Sequence, residues 1–188
     1  MGYFKKLKLR FWHSLAIRRN KYTKKYGRMA GVQIAESVRF TGCPAFGTEP
    51  WLISIGENCI ITQNVRFMTH DGAVNVVCRM GGKYADLNKF GRIIVEDNVF
   101  IGANAMIMPS VRIGSGSIVA TCSCVTKDVP PGEVWGGVPA KKICTVQEFA
   151  DKLYEISKDY QDDVSCLSDE RKISEIVADA YRNSIHNK

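Results

Sequence analysis

From residue 95 the chain divides into consecutive sixes: VEDNVF, IGANAM, IMPSVR, IGSGSI, VATCSC and VTKDVP. The first place in each holds Val95, Ile101, Ile107, Ile113, Val119 and Val125. The fifth holds Val99, Ala105, Val111, Ser117, Ser123 and Val129, all small or β-branched. IGENCI from Ile55 and ITQNVR from Ile61 repeat the pattern, and IAESVR from Ile34 does so more loosely. A period of six fits neither a helix nor a simple alternating strand. It suits a chain that makes a short strand, turns by about 120° and repeats, so that three hexads close one triangular coil. Each first-place aliphatic then points into the prism, and each fifth-place residue sits inside near a corner. The hexads from 95 to 130 make two coils, and residues 34 to 70 make about two more. A buried parallel sheet would also favour Val and Ile. It needs helical crossovers, however, and no amphipathic helical stretch lies between residues 31 and 143.

The repeat breaks between His70 and Ile93, where DGAVNVVCRMGGKYADLNKFGR keeps no sixfold order. Such an insertion is expected to loop out from one corner, and long loops in compact domains are usually functional or disordered. This one carries Val74, Val76, Val77, Tyr84, Leu87 and Phe90, too apolar for disorder alone. His70 stands at its root, and the other histidines are His13 and His186, near the two ends.

With these features the sequence resembles the hexapeptide-repeat acyltransferases over roughly residues 31 to 145, in the branch of maltose, galactoside and polysaccharide O-acetyltransferases. The matching motifs are MTHDG at 68–72, NVFIGANAMIMPSVRIG at 98–114, VTKDVPPG at 125–132 and GGVPAK at 136–141. The resemblance implies a mainly β fold, a left-handed parallel β-helix, assembled as a homotrimer with active sites between subunits. It implies that the 72–92 loop walls the acceptor pocket and that His70 is the catalytic base. Acyl transfer from a thioester to a hydroxyl needs a base near neutral pKa, and an imidazole can also return the proton to the departing thiolate. A carboxylate should hold the ring. Asp71 is the nearest in sequence, although adjacent residues on a strand face opposite ways.

The resemblance also implies acetyl-CoA as cosubstrate, with no metal. It places the pantetheine arm against Ala103 and Thr121, with Thr126 and Lys127 following. Gly136, Gly137 and Pro139 would pass close to the adenine, and Lys141 would meet the 3′-phosphate. The chain departs from the family in having Ala120-Thr121-Cys122 where Gly-Ala-Gly is common, and Cys144 where some relatives carry a second arginine.

The expected organisation is a basic amphipathic helical segment over 1–30, the β-helix over 31–144 with its extruded loop, and C-terminal helices over 145–188. Residues 1–28 hold ten Lys or Arg and no acid, leaving 16 basic and 19 acidic residues beyond them. The overall charge of +7 therefore belongs to one end and is no sign of a nucleic-acid-binding body. Phe4, Leu7, Phe11 and Leu15 recur at helical spacing among these charges. This segment either packs on the prism base or touches an anionic membrane surface, where lipid-linked sugars are assembled. At the other end Thr145 and Glu148 are spaced as a capping box, followed by apolar stripes at Phe149, Leu153 and Ile156 and at Ile173, Ile176, Val177 and Tyr181. Seven cysteines without framework spacing read as reduced thiols. The chain is expected to be cytoplasmic, or peripheral at the inner membrane face. Its expected activity is O-acetylation of a small-molecule or lipid-linked sugar acceptor. The alternatives are N-acetylation of an amino sugar or other amine, and a non-catalytic β-helix assembly subunit.

Overall fold

The computed structural model describes residues 22–157. Residues 22–30 form a helix, α1. The first coil carries β1 (Gln33–Ile34) and β2 (Arg39–Phe40) and closes through a bridge from Ala45 to Arg66. The second coil holds β3 (Ile53–Ile55), β4 (Ile60–Ile61) and β5 (Arg66–Phe67). The third holds β6 (Ile93–Val95), β7 (Phe100–Ile101) and β8 (Met106–Ile107). The fourth holds β9 (Arg112–Ile113), β10 (Ile118–Val119) and β11 (Cys124–Val125). Strands stack in parallel into three faces: β1-β3-β6-β9, β2-β4-β7-β10, and β5-β8-β11. This is the expected left-handed parallel β-helix.

The hexad positions explain the geometry. Every first-place residue from Val95 to Val125 is at most 2% exposed, as is every fifth-place residue from Val99 to Val129. Each such aliphatic side chain contributes roughly 1.5–3 kcal/mol by leaving water. The fourth place makes the corner: Asn58, Asn64, Asn98, Asn104, Ser110 and Cys122 all have φ between 56° and 68°. Asn tolerates this left-handed region better than most side chains. The second place sets the coil spacing, because a Cβ on Gly102 would stand 2.5 Å from the Thr121 nitrogen one coil above.

Both ends of the solenoid expose strand edges that need covering. At the first coil, α1 lies with Thr23 and Gly27 buried. At the last, β12 (Glu133–Gly137) joins β10 in parallel and pairs antiparallel with β13 (Ala140–Thr145). A second compact unit begins at Gln147, and its described residues are the rest of α3 (Val146–Ser157). The stripe expected at Ile173–Tyr181 and most of the expected basic helix lie outside the described residues.

Two irregularities interrupt the 18-residue coil. Ile34 pairs with Ile55, a step of 21 residues, whereas Val95 pairs with Ile113, a step of 18. Ala45 bridges Arg66 at the same offset of 21, so the three extra residues lie after Ala45, in the 3-10 turn Pro50–Leu52 and its approach. The second irregularity is the long loop, which stretches the step from Ile55 to Val95 to 40 residues. Both leave the prism at the same corner, one coil apart.

Candidate active site

At that shared corner His70 ends the third hexad of the second coil, and the lower insertion carries Thr48 and Glu49 beneath it. His70 Nδ1 lies 2.9 Å from Glu49 Oε2 and 3.1 Å from Thr48 Oγ1. The Thr69 hydroxyl, on a residue 1% exposed, donates to Glu49 Oε2 at 2.6 Å. The Thr48 hydroxyl donates to Oε1 at 2.6 Å. These contacts hold the Glu49 carboxyl down to about 2, first through Thr48, then Thr69 and His70. An ionised carboxylate accepts only, so Nδ1 carries the proton and donates it to Glu49. In the neutral ring this tautomer leaves the lone pair on Nε2. The His70 side chain is 38% exposed and that of Glu49 17%, so the imidazole is open and its partner sheltered.

The loop is tied at its root. The Asp71 amide donates to the Lys89 carbonyl at 3.0 Å and the Gly91 amide to the Thr69 carbonyl at 2.8 Å. His70 and Phe90 form an antiparallel bridge, with ring centroids 6.2 Å apart. Gly91 has no room for a side chain, since a Cβ would meet the Ser110 nitrogen at 2.3 Å. Beyond the root the loop makes a short helix, α2 (Val74–Cys78), and a 3-10 turn at Gly82–Tyr84. Val76, Met80, Leu87 and Phe90 are exposed on it.

The carboxylate on His70 is thus Glu49 and not Asp71. Asp71 follows strand alternation to the opposite side, where it pairs with Lys89 at 3.0 Å and accepts the Ala73 amide at 3.1 Å. Glu49, Thr48 and Thr69 were missed by motif reasoning. The 21-residue step from Ile34 to Ile55 is the signal that would have located the first two.

The residues expected to meet acetyl-CoA fall into two groups. Thr126 and Lys127 follow β11 at the His70 corner, both exposed. Ala103 and Thr121 stack at the other end of the β5-β8-β11 face, where the Cys122 amide donates to the Ala103 carbonyl at 2.8 Å. The β12-β13 turn carries Gly137 and Pro139, with a cis Val138–Pro139 bond and Gly137 at φ 98°. Lys141 pairs with Gly136 in that hairpin and is exposed, whereas Lys142 is bound to Glu133 at 2.6 Å. Within one chain, then, His70 and most of the expected cofactor contacts occupy different edges of one face.

The known proteins agree with this architecture. Residues 92–127 match the bacterial transferase hexapeptide family (six repeats). The chain is 40% identical over 130 residues to Protein CapG of Staphylococcus aureus, covering 68% of this chain and 74% of that one. It is 52% identical over 64 residues to the 2,3,4,5-tetrahydropyridine-2,6-dicarboxylate N-acetyltransferase of S. aureus, which spans 34% of this chain but 27% of the enzyme. Among solved structures, a hexapeptide-repeat acetyltransferase from Vibrio cholerae complexed with acetyl coenzyme A superposes with a TM-score of 0.51 at 25% identity. That match covers 71% of this chain and 84% of the other. With its buried hexads and these relatives, the chain belongs to the bacterial hexapeptide-repeat transferase family, as an acyltransferase built on a left-handed parallel β-helix.

Proposed function

We propose that the protein transfers an acetyl group from acetyl-CoA to a hydroxyl of a sugar or polysaccharide precursor, with His70 as general base. The observation that carries this reading is the Glu49–His70 pair, clamped by two threonine hydroxyls at the root of the loop. Nε2 takes the hydroxyl proton as the oxygen attacks the thioester carbonyl. Glu49 stabilises the imidazolium that forms, as the carboxylate of a catalytic triad does. When the tetrahedral intermediate collapses, the C–S bond breaks and the imidazolium returns its proton to the coenzyme A thiolate. No acyl-enzyme is needed, because the thioester is already activated. A backbone N–H from an adjacent coil would serve the oxyanion.

Acetyl-CoA is assigned to the edge formed by Ala103, Thr121 and the β12-β13 turn, whose side chains are small and which carries the exposed Lys141. That edge lies across a face from His70, which favours a site completed by a second prism and hence the homotrimer. The exposed apolar residues of the 72–92 loop favour the same arrangement, with Phe90 beside His70 in the acceptor pocket. Transfer to an amine is the second reading. It is favoured by the 64-residue similarity to an N-acetyltransferase, and the same base would serve it.

The test is turnover of acetyl-CoA by the full chain against panels of sugars, amino sugars and amino acids, with coenzyme A binding followed by calorimetry. Turnover with a sugar hydroxyl is the expected result. Turnover confined to amines would replace the first reading with the second, and absence of coenzyme A binding would end both.

A further inference from the structure

Helix α1 packs by one stripe and leaves another bare. On the packed stripe, Thr23 Oγ1 lies 3.8 Å from Cys43 Sγ, and a Cβ on Gly27 would come within 2.7 Å of Ile34 and 3.0 Å of Phe46. Tyr22, Tyr26 and Met29 recur at i, i+4 and i+7, and so share a different stripe. They are 66%, 65% and 77% exposed. Where the helix ends, Gly31 abuts the Trp51 Cβ, 3.2 Å from where its own would stand, and Trp51 is itself 58% exposed. Packing on the prism and contact with a further partner are therefore compatible for this segment.

We propose that this base of the prism is a docking surface for an anionic lipid bilayer. Charge selects the occupant: residues 1–28 carry ten Lys or Arg and no acid, while the rest of the chain is net acidic. A second copy seated on this base would bring together two chains that each carry this excess of basic residues, and like charges repel. Nucleic acid would satisfy the charge, but binding to its phosphates gains nothing from an exposed Tyr-Tyr-Met stripe with a tryptophan beside it. A bilayer surface uses both. Tyr and Trp rings settle at headgroup level, and basic residues are drawn to anionic lipids. The location is also suitable, because α1 lies against the first coil, at one end of the solenoid. His70 follows the second coil, and successive coils stack about 4.8 Å apart. The base residue would then stand on the order of 10 Å above the helix, within reach of a headgroup-linked acceptor. Docking does not depend on the transfer chemistry, so it can fail or hold independently of the proposed reaction.

The experiment is flotation of the full-length protein with vesicles of phosphatidylcholine alone, or of phosphatidylcholine with phosphatidylglycerol, at 0.1 and 0.5 M salt. It is repeated with a Tyr22→Ser, Tyr26→Ser, Met29→Ser variant whose melting curve is checked against the parent. Co-flotation with anionic vesicles is expected, at least about tenfold weaker with neutral ones and weakened by salt as screening shortens. The triple variant is expected to lose about tenfold in binding with its melting curve unchanged. Absence of co-flotation, an unaffected triple variant, or equally tight binding to random-sequence duplex DNA would each overturn the proposal. Should the triple variant melt early, Tyr22→Ser alone, on the bare stripe, carries the same comparison.

Discussion

Replacing Glu49 by glutamine isolates what the carboxylate contributes to the reaction. The side chain keeps its length, and its carbonyl can stay where Oε2 accepts from Thr69 at 2.6 Å and from His70 at 2.9 Å. The amide NH2 then occupies the Oε1 position, and the Thr48 hydroxyl turns to accept from it. Geometry is retained and the charge is lost. Charge-assisted hydrogen bonds are roughly twice as strong as neutral ones, so about half of the support for the imidazolium disappears. Complete loss of a general base costs about 10²- to 10⁴-fold, and loss of half the orienting bond should cost about tenfold in kcat. KM should hold steady, because Glu49 in the proposed reaction acts through His70 and positions it. Asp71→Asn breaks an ion pair with Lys89 on the other side of the strand, and should change kcat by less than about threefold. The assay is steady-state release of coenzyme A at saturating acetyl-CoA for the two variants side by side. If Asp71→Asn is the more damaging, or Glu49→Gln is silent, the assignment of the orienting carboxylate is refuted.

The structure fixes two further outcomes. Gly102→Ala places a Cβ against backbone atoms of Thr121 at 2.5 and 2.8 Å and of Ala120 at 2.8 Å. Such overpacking should cost about 2 kcal/mol, seen as a melting temperature lowered by about 4–8 °C; an unchanged melt would contradict the tight coil spacing. Glu49, whose carboxyl is depressed from 4.5 to about 2, gives a pH-dependent term of defined sign. Its contribution to stability is present above the ordinary carboxyl value and is lost as pH falls through about 2. The stability advantage of the parent over Glu49→Gln, measured by urea unfolding, should therefore narrow as pH falls from 4.5 towards 2, and a widening gap would contradict the clamp.

The solenoid was legible because one physical rule acts at every hexad. A first-place aliphatic and a small fifth-place residue fill the prism, as Ile107 and Ala105 do with no exposure. His70 was legible from its place at the break. Its carboxylate was not, because Glu49 precedes it by 21 residues and contact depends on two insertions leaving one corner. Three extra residues in the first coil are a weak local signal, carried by the 21-residue step from Ile34 to Ile55. Asp71 was attractive by adjacency alone, and strand alternation turns it away. The edges of the face were likewise beyond a linear reading: Thr126 and Thr121 are close in sequence yet stand at opposite ends of β11.

In the proposed reaction His70 performs proton transfer while other residues hold acetyl-CoA. The most direct measurement pairs kcat with coenzyme A affinity for His70→Ala. In this variant kcat should fall by about 10²- to 10⁴-fold while calorimetry gives an affinity within about twofold of the parent. Turnover retained in the variant, or affinity lost together with turnover, would contradict it.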